Sequence, residues 1–187
     1  LIGTILASLV ADGAVSYLYY ADRVTQLPMG VIGVAVGTAL LPTLSRQLAA
    51  KDNGAAMVSQ NHGIELALLL TLPATVALIA MPGPLIEVLF GRGAFDTHAV
   101  NATSAALVAY ATGLPAYVLI KVLTPGFFAR EDTRTPVRIA IFAMLTNIIL
   151  NLIFMRYWGH IGIAYASSIS AWANVLALGY ILNQRGE

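Results

Sequence analysis

An aspartate and an arginine, Asp22 and Arg23, sit side by side within about thirty mostly apolar residues from Tyr17 to Arg46. A stretch of that length crosses a bilayer, whose hydrocarbon core needs roughly 20 residues as a helix. Counting from an expected helix start near Ala14, Arg23 lies roughly 13 Å along the axis at about 1.5 Å per residue. That is too deep for its side chain to reach the near surface easily. An ionised group at such depth costs a few kcal/mol and usually faces a bundle interior or a watery cavity. Two readings are open: Arg23 binds an anion, or a carboxylate on this or another helix neutralises it. Asp22 is a poor partner, because adjacent helical residues diverge by about 100° and do not face each other.

Other residues carry weaker signals of the same kind. Lys121 lies between Pro115 and Pro125, roughly 10 Å from a segment end at Phe128, so it either snorkels to the interface or lines the same cavity. Asn147 and Asn151 are four apart and share a helix face. They read either as hydrogen-bonding glue between helices or as a weak cation site, with no carboxylate on their own helix to strengthen it. Below Arg23, Pro28 removes a backbone donor and is expected to kink the helix. Gly30, Gly33 and Gly37 come next at helical spacing, suited to a hinge or to close helix packing.

The elements that must hold these groups are transmembrane helices. Hydrophobic residues make up 58% of the chain and charged residues 10%, against about 25% charged in a soluble domain. Charged and Gly/Pro-rich breaks divide it into six apolar segments: Leu1–Ala11, Ala14–Ser45, Gly63–Met81, Val100–Phe128, Pro136–Tyr157 and Ile161–Leu182. The connections leave no room for a soluble domain, so an all-α, polytopic bundle over residues 1–187 is expected. Leu1–Val10 reads as the tail of a helix already under way, which suggests a piece of a longer transporter. Gln47–His62, polar and moderately helical, reads as a short connector along the membrane or, the favoured reading, as a solvated linker; Leu85–Phe90 is expected to be a short surface helix, and Thr135 the cap of a helix with Pro136 in its first turn.

Lysine and arginine placement sets an expected orientation, since cytoplasmic loops carry their excess. With loops 46–62 and 129–135 and the C-terminal tail inside, that side holds Arg46, Lys51, Arg130, Arg134, Arg138 and Arg185, and the other only Arg92 and Arg156. His62 then lies inside and His98 and His160 outside, so the three do not make one metal site. Net charge is +1 and cysteine is absent, which gives no case for a nucleic-acid partner, a disulfide or thiol chemistry. No Walker-type phosphate loop occurs, so ATP-driven pumping has no support in this stretch, and no cofactor is implied.

The run Tyr19-Tyr20-Ala21-Asp22-Arg23, the Pro28-x-Gly30-Val31-x-Gly33-Val34-Ala35 stretch and Gly37-Thr38-x-Leu40-Leu41-Pro42-x-Leu44-Ser45 resemble one helix of the MurJ (MviN) lipid II flippases. Those belong to the multidrug/oligosaccharidyl-lipid/polysaccharide exporter superfamily. Leu89-Phe90-x-Arg92-Gly93-x-Phe95 and the run from Lys121-Val122-Leu123 through Thr135-Pro136-Val137 resemble the same family. The resemblance implies the second lobe of a two-lobe bacterial inner-membrane flippase, with the first lobe absent from this chain. It further implies that lipid II is carried from the inner to the outer leaflet for peptidoglycan synthesis, that Arg23 contacts the substrate, and that Asp22 assists. Two alternatives stand beside it: a polysaccharide-unit exporter or cation-coupled drug antiporter of the same superfamily, and a non-transporting membrane scaffold.

Overall fold

A computed structural model describes residues 13–92 and 95–184. The first expected segment, Leu1–Ala11, lies outside the described residues, as do Asp12, Gly93 and Arg185. Helix α1, Ala14–Pro28, runs through a π-helical turn at Met29–Val34 into α2, Ala35–Ala49. Then come α3, Asn53–Ala80, the short α4, Pro82–Phe90, α5, Thr97–Ala111, α6, Leu114–Phe128, and α7, Arg134–Gln184.

Helix α7 is two antiparallel arms. Gly159 breaks it with φ 55° and ψ −133°, a conformation open essentially to glycine alone. Asn147 on one arm donates to Ser167 Oγ on the other at 3.4 Å, whereas twenty residues of unbroken helix would separate them by about 30 Å. The corner falls in the gap expected between Tyr157 and Ile161. Counting α1–α2, α3, α5–α6 and the two arms, the described residues make five passes long enough for a membrane.

Three expectations need correction. The expected linker from Gln47 to His62 is mostly helix: α3 starts at Asn53, where Asp52 Oδ1 accepts from Ala55 N–H at 2.9 Å. The loop read as 46–62 shrinks to the turn at 50–52, because an Asp N-cap outweighs the polarity of the residues it caps. The segment from Val100 to Phe128 is two helices meeting at about 40°. At the start of α7 the capping acceptor is Asp132, which takes hydrogen bonds from both Thr135 N–H (3.0 Å) and Thr135 Oγ1 (2.6 Å); Thr135 is inside the first turn.

The packing is that of a membrane bundle. Small residues fill the contacts, with Ala21, Ala67, Ala106, Ala109, Ala116, Ala164 and Ala166 almost wholly buried, while Val31, Leu69, Ile149 and Leu176 face outward. In lipid there is no hydrophobic gain from hiding leucine, so close approach of backbones drives association instead. Helix α6 is central, touching α2, α3 and α7, and α1 lies along α5.

The α2–α6 crossing shows how close that approach is. Pro125 has no N–H to give Lys121 O, four residues earlier. A Cβ on Gly37 would stand 2.7 Å from that carbonyl oxygen, so only a hydrogen fits, and a Cα–H points at the orphaned acceptor. On Gly33 a Cβ would meet Lys121 Cδ at 2.7 Å. Gly30 is different, with nothing within 4 Å of the added atom, so the close-packing role expected of it does not hold. Gly37→Ala is therefore expected to cost about 2 kcal/mol, since the opposing atom is backbone. Gly30→Ala should be neutral or gain up to about 1 kcal/mol of helix propensity. Thermal unfolding in detergent distinguishes the two; equal midpoints would contradict the crossing described here.

Candidate functional site

Helix α1 presents one face to a cavity of about 430 Å³. Leu18, Tyr19, Asp22, Thr25, Gln26 and, one turn below, Met29 line it from this side. Tyr110 of α5 and Tyr117 of α6 form a second wall, and Asn147, Ile163 and Ser167 of the two α7 arms a third. The spacing 18-22-25-29 is the helical repeat of a single stripe. Thr25 is buried and returns its hydroxyl to Ala21 O at 3.0 Å, leaving Asp22 and Gln26 as the polar groups of α1 that face the space.

Asp22 and Arg23 do not pair. Gln26 stands between them: its Nε2 donates to Asp22 Oδ2, and its Oε1 accepts from Arg23 Nη1 at 3.3 Å. The guanidinium also lies over the Tyr19 ring, 4.8 Å from its centroid, a cation–π contact that helps to hold an exposed cation in place. Arg23 is exposed on the face of the bundle and makes no ion pair among the described residues. It does not line the cavity itself; Tyr19 and Gln26, which touch it, do. Its position is the rim.

Across the cavity, Asn151 Nδ2 donates to Asn147 Oδ1 at 2.8 Å, and Asn147 reaches Ser167, whose hydroxyl bonds Ile163 O at 3.0 Å. The two asparagines thus do share a face and hold each other. Asn151 is fully buried and its Oδ1 has no hydrogen-bond partner. What their own helix lacks, α1 supplies: Asp22 lines the same space as Asn147 and Ser167. Lys121 is not brought to the cavity. It lies one turn beyond Tyr117, its stem against Gly33 just past the Met29 end, half-buried and with no hydrogen bond or ion pair among the described residues.

Sequence reasoning reached Asp22, Arg23 and Asn147, and marked Ser167 only as part of a polar face suited to helix packing, but missed Gln26, Tyr110 and Tyr117. Gln26 was recoverable, being three and four residues from the charged pair. The tyrosines were not, since their approach depends on how α5 and α6 meet. At the end of the bundle nearer residue 14, Tyr17 lies between His98 and His160, with ring centroids 6.2 and 5.7 Å away. Tyr20 packs on Phe90 and Phe95 there. His62 is elsewhere, hydrogen-bonded to Val58 O within α3. Among the described residues no cluster of three or more His, Cys, Asp or Glu is placed to hold a metal.

The family model described as lipid II flippase MurJ matches residues 1–187. A probable lipid II flippase MurJ of Rhizobium meliloti is 46% identical over 187 residues, covering 100% of this chain and 35% of the relative. That of Vibrio cholerae is 40% identical over 178 residues, covering 95% of this chain and 34% of the relative. This chain therefore spans about a third of the length of the curated relatives it matches. Among solved structures, a lipid II flippase MurJ in an inward closed conformation superposes with a TM-score of 0.90 at 33% identity, over 97% of this chain and 38% of that one. An outward-facing multidrug resistance transporter of the MATE family and MOP superfamily shares the fold, with a TM-score of 0.84 at 19% identity over 96% of this chain.

Proposed function

This chain belongs to the lipid II flippase MurJ family, and from that premise we propose that it forms one helical lobe of a transporter that moves lipid II between membrane leaflets. The observation that carries the reading is Arg23, a guanidinium with no ion pair among the described residues, held by Tyr19 and Gln26 at the rim of the cavity that Asp22, Asn147 and Ser167 also line. A planar guanidinium offers forked donors that match a phosphate or pyrophosphate. Gln26 takes one of its N–H groups and Tyr19 one face, and the side chain is otherwise exposed.

On this reading the exposed face around Arg23 meets the other lobe, and the lipid headgroup sits between the two. Alternating access comes from rocking of the lobes, with α1 and α2 joined through the π-helical turn at Met29–Val34 where backbone register is already loosened. Lys121, one turn past the cavity, adds positive potential without touching the headgroup. The turn at 50–52, the 129–133 connection and the C-terminal end face the cytoplasm, in keeping with the lysine and arginine count.

A second component is favoured by one observation, the meeting of Asp22, Asn147 and Ser167 around one space. Carboxylate, amide and hydroxyl oxygens suit a hard monovalent cation, which would couple transport to an ion gradient.

The test reconstitutes the full-length protein in proteoliposomes and tracks headgroup transfer of a fluorescent polyprenyl-pyrophosphate saccharide beside a neutral glycolipid of equal chain length. Transfer of the pyrophosphate lipid at least about tenfold faster is expected, one charge-assisted contact being worth roughly that factor. Equal transfer of both lipids, or of neither, would overturn the reading.

A further inference from the structure

We propose that Gln26 is a positioning residue that aims Arg23 at its anion, an inference that rests on the anion-binding reading above. Seen down α1, Gln26 projects about 40° from Asp22 and about 60° from Arg23, one turn below both. It is a position from which a single side chain reaches the two diverging charges. The two hydrogen bonds use both ends of its amide, the N–H on the carboxylate and the oxygen on the guanidinium.

A primary amide suits this place for a chemical reason. It offers an acceptor to a cation and a donor to an anion at once, and remains neutral. A carboxylate there would neutralise Arg23 and repel Asp22. An apolar chain of the same length would release both. With the amide, Asp22 and Arg23 are linked but not paired, so Asp22 fixes where the guanidinium points without cancelling its charge for an incoming phosphate. Tyr19 holds the guanidinium face at 4.8 Å, so Gln26 supplies the in-plane restraint that ring stacking leaves free.

The experiment measures the dissociation constant of geranyl pyrophosphate for the full-length protein in detergent, for wild type, Gln26→Met and Gln26→Glu, at about pH 7.5 and about pH 5. Gln26→Met should weaken binding about tenfold at both pH values, the worth of one hydrogen bond to a charged group. Gln26→Glu should weaken it further at about pH 7.5 and recover part of that loss, relative to wild type at the same pH, at about pH 5. There the introduced carboxyl begins to protonate and presents a donor and an acceptor as the amide does. A merely structural role would not produce that recovery. Should wild type bind pyrophosphate while both variants bind equally well, or should Gln26→Glu stay equally weak at both pH values, the proposal is wrong. Failure of wild type to bind counts instead against the anion-binding reading itself. If Gln26→Met does not fold, the pH dependence of Gln26→Glu decides alone.

Discussion

Arg23→Ala should cut headgroup transfer by about 100-fold or more while the protein still inserts, folds and runs as a single species in detergent. The size reflects what is removed: several charge-assisted donors aimed at a phosphate, where loss of even one preorganised donor commonly costs about 10²–10³. The folding cost should be small. Arg23 is exposed, its hydrogen-bond and cation–π partners among the described residues being Gln26 and Tyr19, and contacts of that kind are worth about 1 kcal/mol. Arg23→Lys should fall between, keeping the charge and losing the fork. Transfer rates in proteoliposomes, beside thermal midpoints of the same preparations, give both quantities. An Arg23→Ala protein that moves the pyrophosphate lipid at the wild-type rate would remove the reason for placing the headgroup here. Loss of folding with loss of activity would favour a scaffold role for the arginine.

Gly162→Ala should have the opposite signature, failing to fold rather than folding without activity. A Cβ at Gly162 would stand 2.3 Å from the carbonyl oxygen of Phe154 and 2.6 Å from its carbon. Both sides are backbone, so no rotamer relieves the clash, and the corner next to it is already committed by Gly159 at φ 55°. Separating the arms would also part Asn147 from Ser167 and open the cavity wall they form. A loss of about 3 kcal/mol or more is expected, in the range of severe backbone overpacking. Size-exclusion profiles and melting curves measure it. A wild-type midpoint would mean that the corner is far softer than its geometry indicates.

The sequence made the bundle legible through runs of apolar residues broken by charge and glycine, and the gap from Trp158 to His160 marked the α7 corner without any coordinates. It misplaced the start of α3, because KDNGAAMVSQNH is polar enough to read as a loop although Asp52 caps it as a helix. The bend at Gly113 was missed because hydropathy runs through it unbroken. For the site, the improbability of a charge among apolar neighbours exposed Asp22 and Arg23, and four-residue spacing exposed Asn147 with Asn151. Nothing in one helix's periodicity announces which residues of another will face it. Asp22 facing Ser167 across the cavity, and Lys121 crossing Gly33, were therefore visible only once the helices were assembled.

The unbroken run from Ala14 to Ala49 is 36 residues, about 54 Å of helix. Even at a steep 40° tilt it spans some 41 Å, more than the roughly 30 Å of hydrocarbon available. Something must overhang, and the side chains say which end. Between Arg23 and Arg46 lie 22 uncharged residues, about 33 Å of helix, a near match to the membrane's oily thickness. Seated that way, the helix puts Arg46 at one headgroup layer and the Asp22–Arg23–Gln26 group at the other, about 9 Å along the axis from the level of Tyr17, His98 and His160. Seated so, the guanidinium needs no deep burial to meet a phosphate: a notch a few ångströms below the lipid phosphates suffices.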